Sequence, residues 1–302
     1  MPKKNSAIVF ERIALIGIGL IGSSIARRIK RDGLANHIAV SARSQESLDQ
    51  AVKLGFADTA TLVQKDSVNN ADLIIICAPV GAYSDIIQNI KANLKPGAII
   101  TDVGSVKQAV IRDLEPHIPE GVHLVPAHPV AGTERSGPEA GFPELFDERW
   151  CIITPTTRTN KTPLNKVRKF WQSLGSNIEI MEPKHHDLVM AMTSHLPHLI
   201  AYTIVGTATD LEKSLTNEVI KFSAGGFRDF TRIAASDPTM WRDVFLNNSD
   251  AVLEMLQRFS EDITALQRAI RWGEGDTLYE LFSRTQEVRR GVIDAKQEKM
   301  YD

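Results

Sequence analysis

The sequence feature that most constrains the fold is a glycine motif close to the N-terminus. A short apolar segment, residues 12–16, leads into Gly17-Ile18-Gly19-Leu20-Ile21-Gly22, and an amphipathic stretch follows. This order predicts a strand, a tight turn and a helix. Gly17 permits the turn, Gly19 lets the backbone approach a pyrophosphate, and Gly22 lets the helix pack closely on the strand. Since the unpaired amides of the helix N-terminus then face the phosphates, the whole motif predicts a dinucleotide-binding site.

Strand-like and helix-like segments alternate from this motif to residue 181. The predicted strands are residues 12–16, 37–41, 98–102, 122–125, 150–154 and 177–181, together with an apolar run that begins at residue 73. The predicted helices are residues 47–54, 83–94 and 163–174, together with one that begins at residue 106. The unbroken apolar run from residue 73 is typical of a parallel strand buried on both faces. Ala78, Pro79 and Val80 end it where a cofactor would lie, outside the carboxyl ends of the strands. The alternation predicts a doubly wound α/β domain, in which the last two strands extend the same sheet.

The end of the second predicted strand bears on the choice between NAD and NADP. An NAD-type fold usually places Asp or Glu there, to bind the ribose hydroxyls. This chain has Ser41, Ala42, Arg43 and Ser44 instead, with no carboxylate before Glu46. Hydroxyls and an arginine suit a 2′-phosphate better than a bare diol, although Arg43 can equally stack on adenine or lie in solvent. The strand end therefore favours NADP over NAD.

A single histidine follows the predicted strand at 122–125, within Pro126-Ala127-His128-Pro129-Val130-Ala131-Gly132-Thr133-Glu134. The prolines and the glycine restrict or redirect the backbone, so we expect a rigid loop that holds His128 as a general base. The alternative is a loop histidine bonded to a nearby carbonyl. Ser105, after the strand at 98–102, has two interpretations as well: the N-cap of a helix that begins at residue 106, or a group that orients His128 or a substrate hydroxyl.

Beyond residue 182 the pattern becomes helical for about 120 residues. Apolar residues repeat at spacings of 4, 3, 4, 3 and 4 in Val252, Leu256, Phe259, Ile263, Leu266 and Ile270, and a second helix is predicted at 277–296. Such a stripe packs helix on helix, either inside one chain or between subunits.

Three polar groups interrupt this apolar half. His195 and His198 lie three residues apart on one helix face beside Pro197, which should kink the helix. No metal is expected there, since thiolates and a carboxylate at ligand spacing are missing. The run His185-His186-Asp187 is interpreted as a solvated helix start. Arg232 lies in apolar company and therefore needs an anionic partner, internal or ligand.

Length and composition point to a soluble protein of two domains, 1–182 and 183–302. The chain has 302 residues, 43% hydrophobic and 24% charged, with a net charge of −2. No charged block suggests nucleic acid or membrane as a partner, and no apolar run reaches the length of a membrane span. Cys77 and Cys151 lie in apolar runs and are predicted to be free, as in a reducing compartment. We therefore expect a cytoplasmic location.

Six motifs, taken in order, resemble those of the prephenate/arogenate (cyclohexadienyl) dehydrogenases of tyrosine biosynthesis. They are Gly17 to Gly22, Asp102-Val103-Gly104-Ser105-Val106-Lys107, His128 to Glu134, Ser194-His195-Leu196-Pro197-His198, Gly225-Gly226-Phe227-Arg228-Asp229-Phe230-Thr231-Arg232 and Asp237-Pro238-Thr239-Met240-Trp241. The resemblance covers nearly the whole chain. It implies a Rossmann-type domain followed by an all-α dimerisation domain in an intertwined homodimer. It also implies oxidative decarboxylation of prephenate to 4-hydroxyphenylpyruvate, or of arogenate to tyrosine, with NAD or NADP.

The same resemblance assigns roles to single residues. It implies that His128 takes the proton of the ring hydroxyl and that Ser105 orients that group beside the nicotinamide. Arg232 matches the residue that binds the ring carboxylate. The remaining matches are to substrate-side positions: His198 with His195, Gly225 and Trp241 in the pocket, and Glu134 at its access.

Two other classes of protein remain as alternatives. Hydroxyacid and phosphogluconate dehydrogenases share the layout but usually have a lysine base in the helical domain. A non-catalytic dinucleotide sensor would not need His128, Ser105 and Arg232 together.

Overall fold

The structure is a computed structural model, which describes residues 9–210, 218 and 221–294. Within these residues the strands are β1 Phe10–Ile16, β2 Ala35–Ser41, β3 Thr59–Thr61, β4 Leu73–Ile76, β5 Ile99–Asp102, β6 His123–Leu124, β7 Ala127–Pro129, β8 Trp150–Ile153 and β9 Asn177–Ile180. The α-helices are α1 Leu20–Asp32, α2 Gln45–Lys53, α3 Gln64–Ser67, α4 Tyr83–Ile90, α5 Lys107–Leu114, α6 Lys161–Ser173, α7 Pro183–Met190, α8 Leu196–Thr209, α9 Gly225–Thr231, α10 Pro238–Asn247, α11 Ser249–Trp272 and α12 Gly275–Asp294.

Six parallel strands of the described chain form one sheet in the order β3-β2-β1-β4-β5-β6. β4 and β5 are fully buried because helices cover both faces of the sheet, which explains the unbroken apolar run of β4. The strand order reverses between β1 and β4, and a crevice opens outside the carboxyl ends of strands at such a point. The predicted doubly wound α/β fold is confirmed.

The turn between β1 and α1 has the geometry that its glycines predict. Gly17 has a positive φ of 97°, and a Cβ there would lie 2.5 Å from the carbonyl oxygen of Cys77. A Cβ on Gly22 would lie 2.2 Å from the carbonyl oxygen of Gly17, so α1 packs too closely for any side chain. A Cβ on Gly19 would meet nothing within 4 Å. Protein therefore fills the space beside Gly17 and Gly22, and the space beside Gly19 is open.

The prediction that residues 150–154 and 177–181 extend the main sheet is wrong. β8 and β9 form a separate three-stranded sheet with β7, in which β7 runs antiparallel to β8. The physical reason lies at Pro126, which has no amide to continue pairing with β5 after Val125 donates to Ile100. The chain then pairs with β8, so His128 lies in a strand opposite Ile152 and not in a loop.

After β9 the described residues are helical, as predicted. A π-helical turn, Ala191–His195, joins α7 to α8 just before Pro197, whose missing amide is the local disturbance that the sequence predicts. The stretch Pro183–Thr209 has 27 residues and is apolar enough, by length and composition alone, to cross a membrane. Only 28% of its most apolar window is buried, and its polar residues His186, Asp187 and His195 are at 0% exposure.

The described residues fall into two compact units, divided between Ser249 and Asp250. The first unit contains both sheets and the helices up to α10. The second consists of most of α11 together with α12. The expected domain boundary at 182/183 stays a prediction.

Candidate active site

His128 is held in place through the backbone of the residue before it. The amide of Ala127 donates to Asp102 Oδ1 at 3.1 Å, and its carbonyl accepts from Lys107 Nζ at 2.7 Å. Asp102 ends β5, and Lys107 begins α5 five residues later. Both backbone polar groups of Ala127 are therefore bound by side chains, which fixes the start of β7 and the position of the His128 ring.

Asp102 and Lys107 form an ion pair with no exposure to solvent. Lys107 Nζ lies 2.5 Å from Asp102 Oδ2, and both side chains are 0% exposed. The same carboxylate accepts from the Gly104 amide at 2.8 Å and from the Tyr83 hydroxyl at 3.3 Å. Burial lowers the pKa of Lys107, and the attraction of Asp102 opposes that shift. This pair ties the loop that contains Ser105 to the strand that contains His128.

A second chain of contacts reaches the His128 ring from α7. His128 Nδ1 lies 2.8 Å from His186 Nε2, with the ring planes at 73°, and His186 Nδ1 lies 2.8 Å from Asp187 Oδ1. Asp187 also accepts from the amides of Lys107 and Gln108 at 2.7 and 2.9 Å, so it caps α5. The interpretation of 185–187 as a solvated helix start is wrong for His186 and Asp187, which are fully buried, and holds for exposed His185.

The surroundings of His128 and His186 favour the neutral form of each ring, because burial lowers both pKa values. Burial, reinforced by nearby His186 and Lys107, holds the pKa of His128 well below its ordinary value of 6.5. Burial also lowers the pKa of His186, against the opposing effect of Asp187. A neutral imidazole has one unprotonated nitrogen, so His128 is in the form that accepts a proton.

Two further histidines and a tryptophan lie near the contacts that join Asp187, His186 and His128. His195 Nδ1 is 3.1 Å from Asn248 Nδ2, which also donates to the Asp187 carbonyl at 2.9 Å. The His198 ring stacks on Trp241 with centroids 3.6 Å apart, and burial lowers the pKa of His195 to about 4. His195 Nε2 and Trp241 Nε1 are buried without a hydrogen-bond partner in the described residues. A buried nitrogen without a partner calls for a polar group, such as a water or a ligand, to bind it.

Arg232 occupies a different environment from the one expected. Its guanidinium Nη1 lies 3.1 Å from Glu134 Oε2, and the Arg232 side chain is 52% exposed. The prediction of apolar company is wrong, because Arg232 begins a 3₁₀ turn after α9 that leaves its side chain half in solvent. Its anionic partner is internal, a carboxylate from the segment that follows β7. The positive charge of Arg232 also lowers the pKa of His198, after the larger effect of burial.

Two predicted site residues lack a direct link to this cluster. Ser105 does not cap α5, because that helix begins at Lys107 with Val106 at the N-cap and Asp187 as the side-chain acceptor. In the described chain no hydrogen bond joins Ser105 to His128, although the Asp102 and Asp187 bonds hold both ends of its loop. Gly225 begins α9, which contacts α8. His128, His195, His198, Trp241, Arg232 and Glu134 are brought together.

The predicted cofactor residues lie at the carboxyl edge of the main sheet. The N-terminus of α1 has no side-chain cap at Gly19, so its first amides are open to an anion. The Gly17 amide donates to the Ser41 carbonyl at 2.8 Å, which places the end of β2 beside the glycine turn. Arg43 and Ser44 are exposed there, and Ser44 also caps α2. Ala78, Pro79 and Val80 follow β4 at the neighbouring strand end. This open cradle fits a dinucleotide.

The carboxyl edge of the main sheet and the cluster of histidines together are those of a dinucleotide-dependent dehydrogenase. The chain belongs to the prephenate dehydrogenase family. Residues 25–180 match the family's nucleotide-binding domain and residues 182–284 match its dimerization domain. A cyclohexadienyl dehydrogenase of Zymomonas mobilis is 41% identical over 93% of this chain and 96% of its own length.

Solved structures of the family have the same fold. A prephenate dehydrogenase from A. aeolicus, in complex with hydroxyphenyl propionate and NAD+, is 32% identical with a TM-score of 0.87, covering 96% of this chain and 100% of the other. A Synechocystis arogenate dehydrogenase is 26% identical with a TM-score of 0.77, covering 93% and 99%.

Sequence reasoning missed His186, Asp187 and Asn248 as members of the site. The signal for the first two was an adjacent histidine and aspartate at the start of an apolar helix, a place where buried polar groups need partners. Asn248 is the C-cap residue that follows α10, and its sequence context carries no comparable signal.

Proposed function

We propose that this protein catalyses the NAD(P)-dependent oxidative decarboxylation of prephenate, arogenate or both, in tyrosine biosynthesis. The observation that carries the proposal is a buried His128, bound at Nδ1 by His186 and with a pKa well below its ordinary value. The same cluster contains His195, His198, Trp241 and Arg232. His128 Nε2 is the nitrogen available to a substrate hydroxyl. The family membership given above supports the same reaction.

The residues divide the chemistry among them. His128 Nε2 takes the proton of the ring hydroxyl, and Ser105 orients that hydroxyl. When bound, the nicotinamide accepts the hydride from the carbinol carbon. The dienone that forms loses its ring carboxylate as CO₂, the bonding electrons make the ring aromatic, and the proton returns to the phenolate oxygen. Positioning and charge placement supply most of the rate enhancement, because no covalent intermediate is required.

The substrate-binding roles follow from charge and shape. We assign the ring carboxylate to Arg232, whose present partner is another carboxylate, Glu134. Bidentate binding of carboxylates is the geometry that a guanidinium favours. Glu134 would then exchange places with the substrate at the entrance. His195, His198, Trp241 and Gly225 line the remaining pocket, where the unpaired nitrogens of His195 and Trp241 offer polar contacts.

For the cofactor we propose NADP in preference to NAD. Ser41 and exposed Arg43 and Ser44 stand at the end of β2, where the ribose 2′ position of a bound dinucleotide lies, and no acidic side chain is present before Glu46. Gly17, Gly19, Leu20, Ile21 and Gly22 would hold the pyrophosphate, with Ala78, Pro79 and Val80 beside the nicotinamide half.

We further propose a cytoplasmic homodimer that forms through residues 183–302, with residues 1–182 as the nucleotide-binding domain. Residues 182–284 match a family domain named for dimerization. Large apolar side chains of α11, such as Ile263 at 47% and Ile270 at 67% exposure, are left open in the single chain. Such a patch supports a subunit interface. Cys77 and Cys151 are both free, in keeping with a reducing compartment.

Four parallel assays of the purified protein test the activity: prephenate or arogenate, each with NAD+ or NADP+. We expect cofactor reduction with at least one substrate, faster with NADP+, and release of CO₂ in equal amount. His128→Asn serves as the inactive control. If no pair of substrate and cofactor reacts, the proposed function is wrong.

A further inference from the structure

The contacts Asp187–His186–His128 carry an inference that rests on the proposed role of His128 as the base. We propose that Asp187 and His186 are positioning residues that fix the His128 tautomer, so that the proton stays on Nδ1 and Nε2 is free to act. Neither residue touches the substrate in this assignment. Each acts through the next ring.

Asp187 is held as a hydrogen-bond acceptor at the N-terminus of α5. An ionised carboxylate only accepts hydrogen bonds, and backbone amides only donate. Asp187 accepts from the Lys107 and Gln108 amides at the N-terminus of α5, where a negative charge is favoured. Its Oδ1 is also 2.8 Å from His186 Nδ1. Because that oxygen is an acceptor, His186 Nδ1 must carry a proton.

The protonation of His186 determines which nitrogen of His128 carries a proton. A neutral imidazole with a proton on Nδ1 has an unprotonated Nε2. His186 Nε2 is therefore an acceptor, and its 2.8 Å neighbour, His128 Nδ1, must be the donor. The remaining nitrogen of a neutral His128 ring, Nε2, then has a free lone pair. Burial lowers the pKa of both rings, which favours the neutral form of each.

The arrangement also serves the state that forms during turnover. When His128 Nε2 takes the hydroxyl proton, the ring becomes a cation that still donates from Nδ1 to His186. The carboxylate of Asp187 lies at the far end of the same chain and stabilises that charge. No proton needs to move between the rings, so the proton balance of the proposed reaction is unchanged.

Two substitutions of His186 separate the two bonds it makes. A glutamine places its terminal oxygen near the former Nε2, so His186→Gln keeps an acceptor for His128 Nδ1 while it loses the bond to Asp187. An asparagine places its terminal amide near the former Nδ1, so His186→Asn keeps the Asp187 bond and leaves His128 Nδ1 without an acceptor. Exposed His185, the preceding residue, supplies His185→Asn as the control.

The kinetic test compares kcat and KM for these variants. We expect His186→Asn to lower kcat by roughly 10²-fold, within the range of a general base. His186→Gln should lose about tenfold or less, and KM should change little in either variant because His186 does not bind substrate. If His186→Asn keeps the kcat of His185→Asn, or raises KM with kcat unchanged, the positioning role is wrong.

The direct test is the ¹⁵N NMR spectrum of the imidazole rings in the full-length wild-type protein at pH 7.5, without substrate. The chain has eight histidines, and the spectra of His128→Asn and His186→Asn assign the two signals. We expect both rings to be protonated at Nδ1 and bare at Nε2. A His128 protonated at Nε2 overturns the inference. Because this measurement needs no turnover, it decides the tautomer even if the four assays show that the proposed function is wrong.

Discussion

Two regions of the molecule differ in how their parts are brought together. One is the cofactor edge, the carboxyl edge of the main sheet with the turn from Gly17 to Gly22. The other is the histidine cluster, which contains His128, His186 and His195. The edge is made of backbone: its tightest contacts lie within one turn, where Gly22 packs on Gly17 with no room for a side chain. The cluster is made of side chains from distant segments, such as His128 with His186 and His195 with Asn248. Substitutions in the cluster should therefore change chemistry and leave cofactor binding intact, and substitutions at the edge should do the reverse.

The largest effect expected from this contrast is that of His128→Asn. Removal of a general base typically lowers the rate by ~10²–10⁴-fold, so kcat should fall within that range. The apparent KM and the Kd for NADP should change little, because the ring serves the chemical step. Steady-state kinetics and cofactor titration measure both. A loss of cofactor binding in this variant would contradict the separation of the two regions.

The Asp102–Lys107 ion pair lies where the two regions meet, so Lys107→Met tests how far they are independent. The change leaves the Asp102 carboxylate buried without its cation, and loss of one partner of a buried pair costs about 3–5 kcal/mol. The control is Lys95→Met, which removes a partly exposed cation paired with Asp72 and should cost about 1 kcal/mol or less. Equal losses of unfolding free energy in urea for the two variants would show that the buried pair stabilises the fold no more than the exposed pair.

Lowering the pH should reduce the free energy of unfolding through the histidine cluster, where His195 has a lowered pKa. The folded-state pKa of His195, about 4, lies below its ordinary value of 6.5. Stability is therefore full above pH 6.5 and falls as the pH is lowered toward 4, because the unfolded chain takes up the proton first. His195 alone accounts for a loss on the order of 3 kcal/mol. Urea unfolding of the wild type and His195→Gln at pH 7 and pH 4 checks this, since the variant should lose less.

Arg232→Ala should act on substrate binding more than on the chemical step. Loss of a charged hydrogen bond costs roughly 1.5–3 kcal/mol, which corresponds to an increase in KM of roughly 10–150-fold. Turnover should fall less, although placement of the departing carboxylate also affects the barrier. Arg228→Ala removes the same charge from the exposed side of α9 and is the matched control. An unchanged KM in Arg232→Ala would remove Arg232 from the substrate site.

The smallest effect is expected at the cofactor edge. Ala42→Asp places a carboxylate at the end of β2, where it accepts the ribose hydroxyls of NAD and repels the 2′-phosphate of NADP. A shift of about tenfold in the ratio of kcat/KM values toward NAD corresponds to about one such hydrogen bond. Ala35→Asp adds the same charge at the opposite end of the strand. If both variants leave the ratio of the kcat/KM values for NAD and NADP unchanged, the residues at the end of β2 do not contact the ribose 2′ position.

The same contrast explains how much the sequence alone could predict. The glycine turn and the parallel strands are local patterns, so β1, α1, β2 and β4 follow from short windows of sequence and the fold class is confirmed. The pairing of β7 with β8 depends on where the chain bends at Pro126, and no periodicity in residues 122–125 reveals it. Burial of His186 and Asp187 depends on β7 and α5, which lie many residues away in the chain. The sequence and the resemblance to a family supplied His128, Arg232 and its partner Glu134, but they did not supply His186 and Asp187, which hold the His128 ring.

The cap that Asp187 forms on α5 has a consequence for motion. Its two oxygens hold the amides of Lys107 and Gln108, and the preceding residue holds the His128 ring. A fluctuation that lifts α7 away from α5 therefore releases the two amides and the ring in one event. Catalysis would stop in that opened state although the main sheet stays folded. The hydrogen-exchange rate of these two amides thus reports the fraction of time that the enzyme is unable to react.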